Sequence, residues 1–273
     1  EIGASAVVAM PTAPFPAPGR TWTDARVHLF VPTGYRQRDA HDVVLHFHGH
    51  NTTLAATVPA HRYREQLWAS GADAILIVPQ GPVAAASGDF GKLADPAGTA
   101  AFLDEVLTVL YRAGVITRPV LGEVALTAHS GGYAAVAANL AADARFAVGQ
   151  VALFDALYGY LATYRDFVLG GGRLRSNYTS GGGTAANNTS LATTLTNAGV
   201  AVASAPTPRA DGVRGRGRVR RRHRRAAADR AGAGAGGAGG DRSALRRRRG
   251  RAHDRRRGGD QPRHRRRHRA AGR

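Results

Sequence analysis

The stretch Glu123-Val-Ala-Leu-Thr-Ala-His-Ser-Gly-Gly-Tyr-Ala-Ala-Val-Ala-Ala-Asn-Leu140 decides the fold of this chain. An apolar run over residues 124–128 has the character of a strand, and the alanine-rich run after Gly132 that of a helix. Ser130 lies between them with Ala128, Gly131 and Gly132 as small neighbours. A sharp turn from a strand into a closely packed helix needs such neighbours. The pattern predicts a strand–turn–helix unit that holds a serine hydroxyl above a parallel sheet.

The segments around this unit alternate between two periodicities. Strand-like runs cover residues 26–32, 42–48, 74–79, 150–154 and 173–179, and helix-like runs cover 59–70, 99–113, 158–169 and 191–197. A last strand is expected to begin over residues 200–204. Apolar strands that alternate with helices predict an α/β fold: a mostly parallel sheet flanked by helices on both faces, in three layers. Functional groups in such sheets lie at the carboxyl ends of the strands, where residues 48–51, Ser130 and Asp155 all fall.

The charge of the chain is confined to its last quarter. Residues 1–206 hold 13 basic and 14 acidic side chains, whereas residues 207–273 hold 25 basic and 5 acidic ones. The tail has no aromatic residue, so it offers little apolar surface to offset the entropy of ordering a backbone. We therefore expect residues 22–206 to form one globular domain and residues 207–273 to be a disordered, low-complexity, arginine-rich tail.

Three interpretations of this tail compete. It could be a basic arm that binds nucleic acid or another polyanion in a salt-dependent way. It could be a low-complexity extension without a partner. It could also be a frameshifted translation of a GC-rich gene, because Arg, Gly, Ala and Pro dominate it and all have codons that begin with two G or C bases. The composition changes abruptly near residues 205–209, inside an expected fold element, which favours the frameshift.

The other features of the composition say little about the location or the assembly of the protein. Residues 1–21 are rich in Ala and Pro and lack a basic n-region, so we interpret them as a linker or a processed segment. No apolar run reaches 18 residues, so no membrane span is expected. The chain has no cysteine, which leaves its compartment open between cytoplasmic and exported. Its oligomeric state is not indicated.

Residues 22–206 resemble the α/β-hydrolase superfamily, of the esterase and lipase type. The resemblance rests on His48-Gly-His-Asn51 after an apolar strand, on Ala128-His-Ser-Gly-Gly132, and on Phe154-Asp155 after the next strand. Ala128 departs from the family motif G-x-S-x-G, where Gly is usual. The resemblance implies a serine hydrolase without a cofactor that cleaves a small acyl ester through a Ser-His-Asp mechanism; thioester and amide substrates remain open.

The resemblance also assigns roles. Ser130 would be the nucleophile, and Asp155 the carboxylate that orients a histidine. The backbone amides of His50, with Asn51 as a near alternative, and of Gly131 would form the oxyanion hole. His129 would be a neighbour of the nucleophile rather than the base.

The same residues also have alternative interpretations that involve no ester hydrolysis. Ser130 could cap the following helix, and Asp155 could cap a helix that begins at Ala156. His46, His48 and His50 recur with a period of two and could be metal ligands. A bare H-x-H-x-H pattern, however, lacks the carboxylate or distant histidine that zinc sites usually include. We therefore expect no metal.

The catalytic histidine is missing from the expected position. In the family it follows the last strand, but here the chain enters the tail, whose histidines are His223, His253, His264 and His268. None has a sequence context that would hold an imidazole against Ser130. We therefore expect the chain as written to be inactive. The competing hypothesis is a non-catalytic, hydrolase-like protein that binds nucleic acid or another polyanion through its tail.

Overall fold

A computed structural model describes residues 1–140 and 145–205 of the chain. Seven strands make one sheet: β1 (Gly3–Ala9), β2 (Arg26–Pro32), β3 (His41–Phe47), β4 (Ile75–Pro79), β5 (Leu121–His129), β6 (Val148–Phe154) and β7 (Arg173–Asn177). Six helices accompany them: α1 (Leu54–Ala60), α2 (Tyr63–Ser70), α3 (Pro96–Arg112), α4 (Tyr133–Leu140), α5 (Leu161–Leu169) and α6 (Ala185–Asn197). The interpretations of the tail over residues 207–273 lie outside the described residues.

The sheet is mostly parallel, as the sequence predicts. The spatial order of its strands is β1-β2-β4-β3-β5-β6-β7. β3 to β7 run parallel, whereas β1 and β2 lie antiparallel at one edge. Since β3, β5 and β6 are consecutive neighbours, the segments that follow their carboxyl ends lie side by side at one edge of the sheet.

Helices cover both faces of this sheet. Along β4, Ile75 and Ile77 join one buried cluster, and Leu76 and Val78 join the other, as the alternation of side chains across a strand requires. The first cluster is completed by buried residues of α3, α4, α5 and α6, and the second by those of α1 and α2. The α/β, three-layer prediction is therefore confirmed.

The helix α3 illustrates how local sequence sets these elements. It begins after Asp95, whose carboxylate accepts the Ala97 N–H at 2.9 Å, and Pro96 occupies its first turn. The chain leaves the helix at Gly114, whose φ of +69° suits a glycine. The buried side chains recur at helical spacing: Thr99, Phe102, Leu103, Val106, Leu107 and Leu110.

The amino-terminal segment is part of the folded unit, which corrects its interpretation as a linker. β1 pairs with β2 along its whole length, from Gly3 opposite Pro32 to Ala9 opposite Arg26. Met10, Ala13 and Phe15 are then fully buried in the core. The small apolar residues of β1 fit an edge strand, and the residues that follow it pack into the core. The boundary at residue 206 stays a prediction.

Four elements differ clearly from their predicted extents, and the first of these is α6, which begins at Ala185 rather than at residue 191. The helix expected over residues 59–70 is two helices, because Arg62 adopts a left-handed φ of +53° between them. α5 begins at Leu161 rather than 158, since Tyr160 has a φ of +56°. Residues 200–205 form no strand, and residues 201–205 are exposed. Among the described residues, no helix is both long and apolar enough to cross a membrane.

The core makes a direct stability prediction. Leu126 lies at the centre of β5 and is fully buried, whereas Leu169 at the end of α5 is 50% exposed. We expect Leu126→Ala to lower the free energy of unfolding by about 2–5 kcal/mol, because it removes buried methyl groups and leaves a cavity. Leu169→Ala is the matched control and should change it by less than about 1 kcal/mol. Urea denaturation checks both; equal losses would contradict the assigned core.

Candidate active site

The turn at Ser130 is strained and tightly packed. β5 ends at His129, a single 3-10 turn covers Ser130–Gly132, and α4 follows with the Tyr133 N–H bonded to the Ser130 carbonyl. Ser130 has a φ of +46°, in the left-handed region that favours glycine. Such a conformation costs about 1–3 kcal/mol and persists only where the surroundings enforce it. The structure thus has the strand–turn–helix geometry that the sequence predicts, with Ser130 partly exposed at its tip.

The surroundings that enforce the turn are backbone atoms of β3. A Cβ atom on Gly132 would lie 2.4 Å from the Phe47 carbonyl oxygen and 3.0 Å from that of His48. Only glycine fits at this distance, so α4 can begin directly against the end of β3. His129 occupies the cap position of the 3-10 turn and makes no side-chain capping bond, so Ser130 is not the cap of this turn.

The loop after β3 passes directly beside the serine. A Cβ atom on Gly49 would lie 3.0 Å from the Ser130 Cβ and 2.9 Å from the His129 Nδ1. The Asn51 N–H donates to the Ala85 carbonyl at 2.9 Å, whereas no hydrogen bond of the His50 amide is found within residues 1–140 and 145–205. Of the two alternatives for this loop, the Asn51 amide is therefore the one with a hydrogen-bond partner within the described residues.

Gly131 is enclosed on two sides. A Cβ atom on Gly131 would lie 2.0 Å from both the Cδ2 and the Nε2 of His50, so the imidazole rests on the Gly131 backbone. On another side, a Cβ on Gly88 would lie 2.3 Å from the Gly131 carbonyl oxygen.

Asp155 lies beside the serine through the register of the sheet. His129 is paired with Phe154, so the residues that follow them, Ser130 and Asp155, end neighbouring strands. Asp155 also has a left-handed φ of +46°. Its N–H donates to the Asn177 carbonyl at 2.7 Å, and the Thr184 hydroxyl donates to its Oδ1. These bonds tie the loop after β6 to β7 and to the start of α6.

The interpretation of Asp155 as a helix cap is wrong. α5 begins at Leu161 and its cap position is Tyr160, five residues beyond Asp155. The contact with Thr184 was not foreseen, because a threonine in the glycine-rich loop over residues 180–184 carries no signal of its partner.

The three alternating histidines of β3 and its loop have separate roles. The His48 Nδ1–H donates to the Gly49 carbonyl and its Nε2 accepts the Gly81 N–H, both at 2.8 Å, so His48 is neutral and fully bonded. His46 is bonded through Nδ1 to the Thr127 hydroxyl at 2.8 Å. Burial lowers the pKa of His48 and lowers that of His46 to about 3. With His50 resting on Gly131, these side chains do not converge on a common centre.

The ring of His129 packs against a second histidine. Its ring centroid lies 4.6 Å from that of His61, which in turn stacks on Tyr63 at 5.4 Å. Burial and the nearby His61 lower the pKa of His129, and the charge of Asp155 acts in the opposite direction. The tail histidines, from His223 to His268, lie outside the described residues.

Comparison with known proteins gives only distant structural similarity. No family model and no curated protein match the chain. Esterase B from Lactobacillus rhamnosis, inhibited by a tributyrin phosphonate, is 15% identical at a TM-score of 0.36, over 63% of this chain and 57% of that one. Carboxyl esterase 2 from the fungus Tuber melanosporum is 13% identical at 0.36, over 58% and 46%. A thermostable esterase from Pseudomonas putida is 14% identical at 0.35, over 58% and 45%.

The chain thus spans about half of the length of each of these esterases. Similarity at this level carries no argument about activity.

The buried histidine makes the stability depend on pH. His46 has a lower pKa in the folded chain than the usual 6.5, so acid favours the unfolded state, which takes up the proton first. Its contribution is present above pH 6.5 and is lost as the pH falls from there towards 3. Between pH 7 and pH 5 we expect His46 alone to account for a loss of about 2 kcal/mol.

The variant His46→Asn keeps an amide near the Thr127 hydroxyl but cannot titrate. Its free energy of unfolding, measured by urea denaturation at both pH values, should fall less than that of the unsubstituted chain by this amount. Parallel losses in the two proteins would contradict a neutral, buried His46.

We expect glycine-to-alanine variants in and near the turn to differ in how much they lower the free energy of unfolding. Gly132→Ala should lower the free energy of unfolding by about 1–3 kcal/mol, because the new methyl meets the rigid backbone of β3. Gly131→Ala should cost less, because the exposed His50 ring can rotate away. Gly181→Ala is the control: nothing lies within 4 Å of its Cβ position, and it should be neutral. Thermal unfolding ranks the three, and a neutral Gly132→Ala would contradict the close approach to β3.

Proposed function

We propose that residues 1–205 carry the acyl-transfer site of a serine hydrolase of the α/β-hydrolase type that acts on carboxylic esters. The observation that carries this proposal is the strained turn at Ser130, whose φ is +46° and which is packed between Gly49 on one side and the end of β6 on the other. Strain at a tightly enforced, partly exposed serine is the arrangement expected of a nucleophile elbow.

Each neighbour of Ser130 has a part in this chemistry. Ser130 Oγ attacks the ester carbonyl as a histidine removes its proton, and the amides of His50 and Gly131 bind the oxyanion that forms. The alcohol leaves with that proton, and water then releases the acid and regenerates the serine. Asp155 is the carboxylate that orients the histidine, supported by its position beside Ser130 and by its bond from Thr184.

The general base is the missing part. His48 has both nitrogens bonded to its own surroundings, and the ring of His129 packs against His61. Without a base the serine hydroxyl stays protonated, and loss of one triad member costs roughly 10⁴- to 10⁶-fold in rate. We therefore propose that the chain descends from an esterase and is inactive as written.

The test combines a p-nitrophenyl ester with a fluorophosphonate label. The 273-residue chain should hydrolyse p-nitrophenyl butyrate no faster than its Ser130→Ala variant, and it should label weakly. Strong labelling at Ser130 would contradict the inactivity. Free 4-methylimidazole, which can enter the place of a missing side chain, should produce a rate increase that Ser130→Ala does not share.

A restored reading frame tests the enzyme assignment itself. The gene is resequenced across the codons for residues 205–209, and the corrected chain is assayed in the same way. Hydrolysis and strong labelling that both disappear in Ser130→Ala support the proposal. A corrected chain that shows neither would overturn it.

A further inference from the structure

Three tyrosines form an aromatic cluster beside the Ser130 turn. The ring centroids of Tyr133 and Tyr158 lie 5.8 Å apart and those of Tyr133 and Tyr160 lie 5.9 Å apart, at interplanar angles of 49° and 54°. Tyr133 thus stands between the other two rings. Tyr158 is 44% exposed and Tyr160 is 55% exposed, so the cluster presents aromatic surface to solvent.

The cluster is one helical turn from the serine. The Tyr133 N–H donates to the Ser130 carbonyl, which places Tyr133 about 5 Å further along the axis of the turn and α4. Tyr158 follows Asp155 by three residues in the loop after β6, whose end is paired with the end of β5. Tyr133 and Tyr158 are thus carried by the two segments that follow Ser130 and Asp155.

The rings are held in place rather than left loose. The buried Tyr164 donates its hydroxyl to the Tyr133 carbonyl at 2.8 Å. Tyr160 keeps a left-handed φ of +56°, and a Cβ on Gly183 would lie 3.3 Å from the Tyr158 ring. The Asn187 side chain donates to the Leu157 carbonyl at 2.9 Å and so fixes the loop that carries Tyr158. Such preorganisation lowers the entropic cost of binding a ligand.

The surroundings of the cluster favour a neutral ligand. Three segments meet here: residues 131–140, 156–164 and 176–197. None of these stretches contains Asp, Glu, Lys, Arg or His, and the charged residues that adjoin their ends are Asp155, Arg165 and Arg175. A charged acyl group would find no counter-ion on these segments, whereas a planar, neutral ring could stack on tyrosine in the offset or edge-to-face arrangements that aromatic pairs prefer.

We propose that Tyr133, Tyr158 and Tyr160 form a subsite for a neutral aryl group of the ester substrate. This inference rests on the proposed function, since it names the substrate class of the same site. The subsite adds specificity and not chemistry: the rings bind and orient the aryl end of the ester, while Ser130 meets its carbonyl.

Binding can be measured apart from hydrolysis. The full chain carrying Ser130→Ala is titrated with methyl 3-phenylpropanoate and with methyl 3-cyclohexylpropanoate, and saturation-transfer NMR gives the two dissociation constants. The two probes have similar bulk, but only the first has a π face. We expect the phenyl probe to bind roughly 3- to 10-fold more tightly, the range that an aromatic contact contributes.

Variants assign this difference to the cluster. Tyr158→Leu and Tyr160→Leu should abolish the preference for the phenyl probe, and Tyr158→Phe should retain it. Tyr111→Leu is the matched control, because Tyr111 is 49% exposed on α3 and lies outside the cluster. Should the leucine variants unfold, labelling the tyrosine rings of the chain with ¹³C gives a second readout, in which the phenyl probe shifts the resonances of Tyr158 and Tyr160.

The outcomes separate this inference from the proposed function. Equal affinity for the two probes, or a preference that survives both leucine variants, would overturn the aryl subsite even if Ser130 labels with a fluorophosphonate. Tyrosine-dependent binding of methyl glucopyranoside in place of the phenyl probe would overturn it in favour of a sugar. An aryl preference that depends on the tyrosines would stand even if the restored chain hydrolysed no ester.

Discussion

The close approach of the Ser130 turn to the end of β3 is the constraint on which the rest of the site depends. There is no space for a Cβ on Gly132, because it would lie 2.4 Å from the Phe47 carbonyl oxygen, and a Cβ on Gly49 would lie 3.0 Å from the Ser130 Cβ. These contacts hold Ser130 in a backbone conformation that an L-residue avoids. The packing of buried strands and helices offsets the strain, so the serine is presented at a defined place above the sheet.

The neighbouring strand β6 is also followed by a residue with a left-handed backbone conformation. Asp155 follows β6 as Ser130 follows β5, and both residues have a φ of +46°. Because the two strands are paired up to their last residues, Ser130 and Asp155 leave the sheet from neighbouring strands. The hydroxyl of Thr184 and the carbonyl of Asn177 then hold the second of them from the side of β7.

The two flanks of the serine differ in chemistry. Towards β3 lie histidines whose burial keeps them neutral, with His46 and His48 bonded to their own surroundings. Towards β6 and α6 lie Tyr133, Tyr158 and Tyr160, on segments without a charged residue. We infer that the first flank supports the oxyanion-binding loop and that the second receives the apolar part of a substrate.

The sequence by itself determined the layer architecture, because buried parallel strands and amphipathic helices leave distinct periodicities, as β4 and α3 do. It also determined the turn at Ser130, because a sharp turn from a strand into a closely packed helix needs small residues on both sides of the serine. Only the tertiary structure decided which groups meet there. Three contacts join residues from different strands and loops. They are the packing of the His50 ring on the Gly131 backbone, the hydrogen bond from Thr184 to Asp155, and the grouping of Tyr133 with Tyr158 and Tyr160. Such contacts depend on strand register and on left-handed residues such as Tyr160, which no local pattern encodes.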